Sequence, residues 1–312
     1  MAIPRRLFIL LTTVALVVSA GCTRSESGPP RRVATAADSV DWPGAAPEQT
    51  YPVGLRTLAL QRGDRPLPTT IWYPAAGPPG GVLSPGAEAA VGRFPIVLLS
   101  HGLGGQPEGF ADIAQALAGD GFVVAAPAYP YTKKESPAFD RHDVRHQPAD
   151  AAFVLDEIAK LGRRMGDPFA GRLAARMCAA GFSAGGTTTS GMLTPGRDPR
   201  LKCAVIISGR VMEGGYTGQA VPVLFVHGDA DTVVAYSVGR GAYDKLAWPK
   251  AFLTMKGCGH GEFLDSKRAG FAPARAAITD FLRWNLYGDT AARKRMSAGG
   301  TLSGGTVFED QF

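Results

Sequence analysis

Apolar residues in this chain follow two rhythms that alternate along most of its length. Short unbroken apolar runs occupy 94–99 (FPIVLL), 122–126, 177–182, 204–207, 223–226 and 252–255. Such runs are the mark of strands buried on both faces. Between them, apolar positions recur at helical spacing. Phe110, Ile113, Ala114 and Leu117 fall at i, i+3, i+4 and i+7, which predicts one amphipathic helix. Val154, Ile158 and Leu161, after Pro148, predict a second, and Ile278, Phe281 and Leu282 a last one. Upstream, 57–60 and 69–73 predict an antiparallel pair connected through Gly63 and Asp64. Strands alternating with helices imply an α/β fold, with a mainly parallel central sheet of about eight strands and helices on both faces. No long insertion follows any strand, so no large lid is expected. In a sheet of this kind, reactive side chains gather at the carboxyl ends of the strands.

The first residues break the pattern. Arg5 and Arg6 precede an uncharged apolar run over 7–18, and the small residues Ser19, Ala20 and Gly21 follow. At about 12 residues the run is too short to span a hydrocarbon core as a helix, which takes about 20. It reads as an export leader over 1–21. Ser19-Ala20-Gly21-Cys22 resembles a bacterial lipobox, with Ser19 where Leu is usual, and makes Cys22 the expected lipidation site. Val18-Ser19-Ala20 offers ordinary signal peptidase the alternative, and Arg5-Arg6-Leu7-Phe8 resembles a twin-arginine signal. The expected location is therefore outside the cytoplasm, lipid-anchored to the bacterial envelope or secreted. Residues 22–50 are rich in Ser, Pro, Gly, Ala and charge and read as a flexible tether. A catalytic domain is expected over 51–288, followed by a polar, Gly-rich and loosely packed tail over 289–312.

Composition adds little. The 40 glycines and 24 prolines among 312 residues point to a loop-rich protein rather than a helical bundle. The formal charge of +6 is mild, includes Arg5 and Arg6, and is scattered, so nucleic acid is not an expected partner. Beyond Cys22, three cysteines remain: Cys178, Cys203 and Cys258. Cys178 and Cys203 lie in apolar strand-like runs and read as buried thiols, or as a bridge if their strands are neighbours.

The chemistry is carried by three strand ends. Gly181-Phe182-Ser183-Ala184-Gly185 fits G-x-S-x-G, in which a sharp strand-to-helix turn lifts the Ser hydroxyl above the sheet. The residues two before and two after Ser approach closely in that turn and must be small. An apolar stretch over 177–180 leads in, and Gly186 to Thr189 can open a helix. Ser100-His101-Gly102-Leu103-Gly104-Gly105 follows the FPIVLL run. Acyl transfer places negative charge on a carbonyl oxygen, and preorganised backbone N–H groups stabilise it; the expected donors are the N–H groups of Leu103 and Ala184. A base is needed for Ser183. Of five histidines, His260, flanked by Gly259 and Gly261 just past the last strand, is the candidate. Two carboxylates, Asp229 and Asp231, follow the strand over 223–226. Asp231 lies farther out in the loop and is the expected acid, with Asp229 bracing the turn. The order Ser, Asp, His supports the set. His142 and His146, at i, i+4, lack a third metal ligand and read as loop residues, so no metal is expected. Tyr129 and Tyr131 follow a strand end and are candidate substrate contacts.

The stretches LPTTIWYP (67–74), FPIVLLSHGLGG (94–105), GFVVAAPAYP (121–130), HQPADAAFVLDEI (146–158), GFSAGG (181–186) and HGDADTVV (227–234) carry a resemblance. The chain from about Pro52 to Trp284 resembles the α/β-hydrolases grouped around platelet-activating-factor acetylhydrolase and the dienelactone-hydrolase-like esterases. The resemblance implies the α/β-hydrolase fold, nucleophile Ser183, acid Asp231, base His260 and oxyanion donors Leu103 and Ala184. Dienelactone hydrolases themselves use Cys as nucleophile. Cutinases and polyester hydrolases are similar but usually place Met where this chain has Ala184. The expectation is a serine ester hydrolase acting on short-chain or soluble esters through an acyl-enzyme. It needs no cofactor, works as a monomer on a small-molecule ester, and meets a membrane only through the lipid anchor. An amidase or acyltransferase with the same three residues, and an envelope lipoprotein that only binds ligands, are the alternatives.

Overall fold

The computed structural model describes residue 2, residues 42–298 and residues 305–312. Apart from residue 2, the export leader lies outside the described residues, as does Cys22. The chain begins with an antiparallel pair, β1 (Val53–Arg62) and β2 (Arg65–Pro74), and the two-residue β3 (Ser84–Pro85). Alternation follows: β4 (Phe94–Ser100), α1 (Ala111–Gly119), β5 (Val123–Pro127), α2 (Gln147–Leu161), β6 (Leu173–Phe182), α3 (Ala184–Gly191) and β7 (Leu201–Ile207). Then come β8 (Val223–Gly228), α4 (Tyr236–Asp244), β9 (Lys250–Met255), α5 (Phe271–Leu282), α6 (Thr290–Ala298) and β10 (Thr306–Gln311).

The strands form one sheet in the order β10-β9-β8-β7-β6-β4-β5-β2-β1-β3. The block from β5 through β9 is parallel; β2 joins β5, β1 joins β2 and β10 joins β9 antiparallel. This is the α/β-hydrolase fold. It has ten strands rather than about eight, the extra ones being the short β3 and the C-terminal β10.

Unbroken apolar runs form these strands because each residue meets a core whichever way it points. Val97, Leu99, Val124 and Ala126 enter one layer with Ile113 and Leu117 of α1 and Ile278 and Phe281 of α5. Ile96, Leu98, Val123 and Ala125 enter the opposite layer with Val154, Leu155 and Ile158 of α2. Cys178 and Cys203 are register partners on β6 and β7, and both are free and buried. Register also levels the carboxyl ends: Ser100 stands opposite Gly181, Phe182 opposite Ile207, and Gly228 opposite Met255. The loops that follow these five parallel strands thus emerge along one edge.

Two expectations about the ends are corrected. The expected tether includes residues 42–50, yet these pack on the domain. The Arg176 guanidinium lies 4.8 Å over the Trp42 ring, and Arg283 donates to the Pro47 carbonyl. The expected loose tail instead folds as α6 and β10. Asp289 accepts the Ala291 and Ala292 N–H groups at the start of α6. The Phe312 ring stacks 5.6 Å from Phe281 and meets Trp284 edge-on at 4.9 Å.

Candidate active site

At the end of β6 the backbone of Ser183 adopts φ 57°, ψ −118°. A left-handed φ at a non-glycine residue costs on the order of 1–3 kcal/mol and persists only when its surroundings enforce it. Here they do. Ser183 N–H is tied to Ile207 O at 2.8 Å, and the flanking chain is packed so closely that only glycine fits. A Cβ on Gly181 would collide with Gly185 O, and one on Gly185 with Ser100 O. α3, with the weakly helix-forming sequence AGGTTTSG, is held from outside: Thr188 Oγ1 donates to Gln147 Oε1 at 2.6 Å, and Gln147 donates to Thr132 at 2.6 Å.

The turn after β4 crosses directly over this elbow. A Cβ on Gly102 would lie 3.0 Å from Ser183 Cβ. His101 is buried, with Nε2 accepting the Tyr129 N–H at 3.0 Å, so the ring proton sits on Nδ1, which donates to Gly102 O at 2.8 Å. Burial holds the His101 imidazole below its ordinary pKa, against the pull of the Gly102 carbonyl. In a trans peptide the carbonyl and the following N–H point opposite ways, so fixing Gly102 O fixes the Leu103 N–H. Neither the Leu103 nor the Ala184 N–H donates to another backbone group among the described residues.

After β8, Asp231 is 6% exposed. Its Oδ1 accepts the N–H groups of Val233 (2.9 Å) and Val234 (2.8 Å). Its Oδ2 lies 2.7 Å from His260 Nδ1. Burial pushes the Asp231 carboxyl up, but the hydrogen bonds from His260, Val234 and Val233 together outweigh it and hold the group below its ordinary value. Because a carboxylate only accepts, His260 carries a proton on Nδ1, and its Nε2 stays outside this bond. Asp229 turns the other way, accepting Gly257 N–H at 2.7 Å and Lys256 Nζ at 2.9 Å.

The His260 loop reaches back over the elbow, its ring 4.6 Å from that of Phe182. His260, Phe182 and Gly102 line one open cleft of about 480 Å³. Leu103, Phe110 and Leu264 give it an apolar wall, and Glu108, Asp112 and Asp265 stand at its mouth. The structure thus joins Asp231 to His260 by a hydrogen bond, and the chain neighbour Phe182 and the packed turn at Gly102 carry the surroundings of Ser183 to the cleft that His260 lines. Among the described residues the Ser183 hydroxyl has no hydrogen-bond partner.

Two expected substrate contacts are corrected. Tyr129 is fully buried, its hydroxyl 2.8 Å from Ser100 Oγ beneath the turn. Tyr131 lies under the Arg65 guanidinium at 5.1 Å, and neither tyrosine lines the cleft. His142 and His146 are exposed on the short turn Arg141–His146. Sequence reasoning missed Phe110, taken as core, and Phe182, the variable position of G-x-S-x-G. It also missed His227, whose Nε2 lies 3.3 Å from Asp231 Oδ2; the i, i+4 spacing across the turn was the available signal.

Residues 81–139 match the family model of platelet-activating factor acetylhydrolase, isoform II. That segment carries β3, β4, the turn over Ser183, α1, β5 and the loop to Phe139. No curated protein matches the chain. The fold is that of the α/β-hydrolases, and the match over this segment supports a hydrolase of the lipase/esterase type.

Proposed function

We propose that this α/β-hydrolase is a serine carboxylic-ester hydrolase in which Ser183, His260 and Asp231 form the catalytic triad. The observation that carries the reading is the 2.7 Å bond between Asp231 Oδ2 and His260 Nδ1, set in the same cleft as the strained Ser183 turn. His260 Nε2 takes the Ser183 proton as Oγ attacks the ester carbonyl. The carbonyl oxygen becomes an oxyanion facing the N–H groups of Leu103 and Ala184, in a position where preorganised donors are worth several kcal/mol. Collapse expels the alcohol, which receives its proton from His260, and leaves an acyl group on Ser183. Water, deprotonated by His260, then attacks the acyl-enzyme and releases the acid. Asp231 stabilises the imidazolium in both halves. The cleft is open and moderate in volume, and supports short-chain or soluble esters as substrates.

The test is turnover of p-nitrophenyl esters of increasing acyl length beside matched amides, with wild type and Ser183→Ala. Activity greatest on the shorter esters, lost by about 10³-fold or more in kcat in the variant, is the expected result. An organophosphorus probe should label Ser183 in the wild type. Wild-type turnover by Ser183→Ala would end the proposal, and faster cleavage of the amides would redirect it to an amidase.

A further inference from the structure

We propose that His227 is a positioning residue for the acid of the triad: its Nε2–H, shared between the Val234 carbonyl and Asp231 Oδ2, holds the carboxylate in the orientation that His260 uses. The inference rests on the triad reading above and extends it by one residue.

The geometry assigns the proton. His227 Nε2 lies 2.8 Å from Val234 O and 3.3 Å from Asp231 Oδ2. Both oxygens are acceptors only, so Nε2 must carry hydrogen. The other edge of the ring is pressed by α4, where a Cβ on Gly239 would collide with Nδ1. The ring is 2% exposed and stands edge-on to Tyr236 at 5.9 Å. It closes a circuit: Val234 N–H donates to Asp231 Oδ1, Val234 O accepts from His227, and His227 reaches Asp231 Oδ2. With three donors, from Val233, Val234 and His260, and the His227 Nε2 3.3 Å from its Oδ2, the carboxylate has little freedom to rotate. A catalytic group held this way keeps its alignment, and misplacement by about 1 Å can cost on the order of 100-fold in rate.

The titratable groups acting on His227 are Asp231 from the same loop and His260 from the loop after β9; Tyr236 faces it from α4 with its hydroxyl bonded to Thr254 of β9 at 2.6 Å. Burial keeps His227 below its ordinary pKa, with Val234 O and Asp231 pulling against it. It therefore donates as a neutral imidazole and does not compete with His260 as a cation.

The expected effects follow from the shared oxygen. His227→Leu removes the donor and leaves Asp231 Oδ2 to His260 alone. The carboxylate then holds the His260 imidazolium more tightly. The acid limb of kcat/KM should rise by about 0.5–1 pH unit, the worth of one such hydrogen bond. kcat should fall on the order of 10- to 100-fold from lost alignment, with KM within about twofold. His227→Gln, which can place an amide N–H near the old Nε2, should restore the limb and most of kcat. An unmoved acid limb in His227→Leu, whatever happens to kcat, overturns the proposal. Wild-type nitrogen NMR tests it without any variant: His227 should show the Nε2–H tautomer, and an Nδ1–H tautomer overturns it. Asp231→Asn and Ser183→Ala separate the two readings. If both retain wild-type esterase activity, the triad itself is wrong; if both are inactive while His227→Leu matches wild type, only the positioning role fails.

Discussion

Gly239 and Gly241 lie two positions apart on α4, and identical substitutions there should have opposite results. Gly241 has a helical position with open space where a Cβ would go. Gly241→Ala should therefore stabilise the protein by about 0.5–1 kcal/mol, by lowering the entropy of the unfolded chain. A methyl on Gly239 meets the His227 ring, which is pinned on its far side by Val234 O and Asp231. Gly239→Ala should cost about 1–3 kcal/mol as an overpacked contact and lower esterase turnover as well. Urea unfolding and kcat/KM on one short ester check both; equal effects of the two substitutions would refute the argument. At this scale glycine spacing and chain order single out Ser183, Asp231 and His260, and the structure bonds the last two to each other. His227 is not singled out, because a histidine at the end of an apolar strand has no mark until the turn folds its ring under a carboxylate. Tyr129 misled for the related reason that a strand-end position does not reveal whether a side chain points up into the cleft or down beneath the turn.

Among the elements, the eight strands with apolar runs or clear alternation were all legible. The two that were not are informative. β3 is two residues long and carries no period. β10, TVFEDQ, is an edge strand that ends in the polar run Glu309-Asp310-Gln311, and charged residues on an edge discourage pairing with other chains, so its sequence resembles a tail. What fixes it is outside its own period: six register pairs with β9, Arg240 bonded to Glu309, and the Phe312 ring against Phe281 and Trp284. Residues 42–50 escaped notice similarly, since a single Trp and Pro anchor them. If Phe312 is the bolt of this edge, Phe312→Ala should lower stability by about 1–2 kcal/mol, the loss of a half-buried aromatic contact. In a domain of this size that is a fall of about 2–8 °C in Tm. Phe312 does not line the cleft, so kcat/KM at 25 °C should be unchanged. Calorimetry and an ester assay on the same sample decide it, and an unaltered Tm would show that β10 contributes nothing to holding the sheet.

Over the whole molecule, the buried polar groups around the cleft make stability depend on pH with a definite sign. His101 and His227 are both held below 6.5 by burial, and Asp231 below 3.8 by its donors. A depressed folded-state pKa means that, in the window between the two pKa values, the unfolded chain binds the more protons. Stability then falls as pH falls. The two histidines place the start of that loss near pH 6.5, and each contributes a slope approaching about 1.4 kcal/mol per pH unit while its window lasts. Asp231 adds its own loss only below about pH 3.8. Protonation also adds positive charge to a chain already formally at +6, so self-repulsion acts in the same direction. Tm should therefore be steady above pH 7 and decline progressively from pH 6.5 toward pH 4. His227→Gln, which keeps the donor and removes the titration, should flatten the upper part of that decline while leaving the part below pH 3.8 intact. A wild-type Tm constant from pH 7 to pH 5 would mean that neither imidazole is buried as a neutral donor, and would remove the physical basis for both the fixed Leu103 N–H and the clamped Asp231.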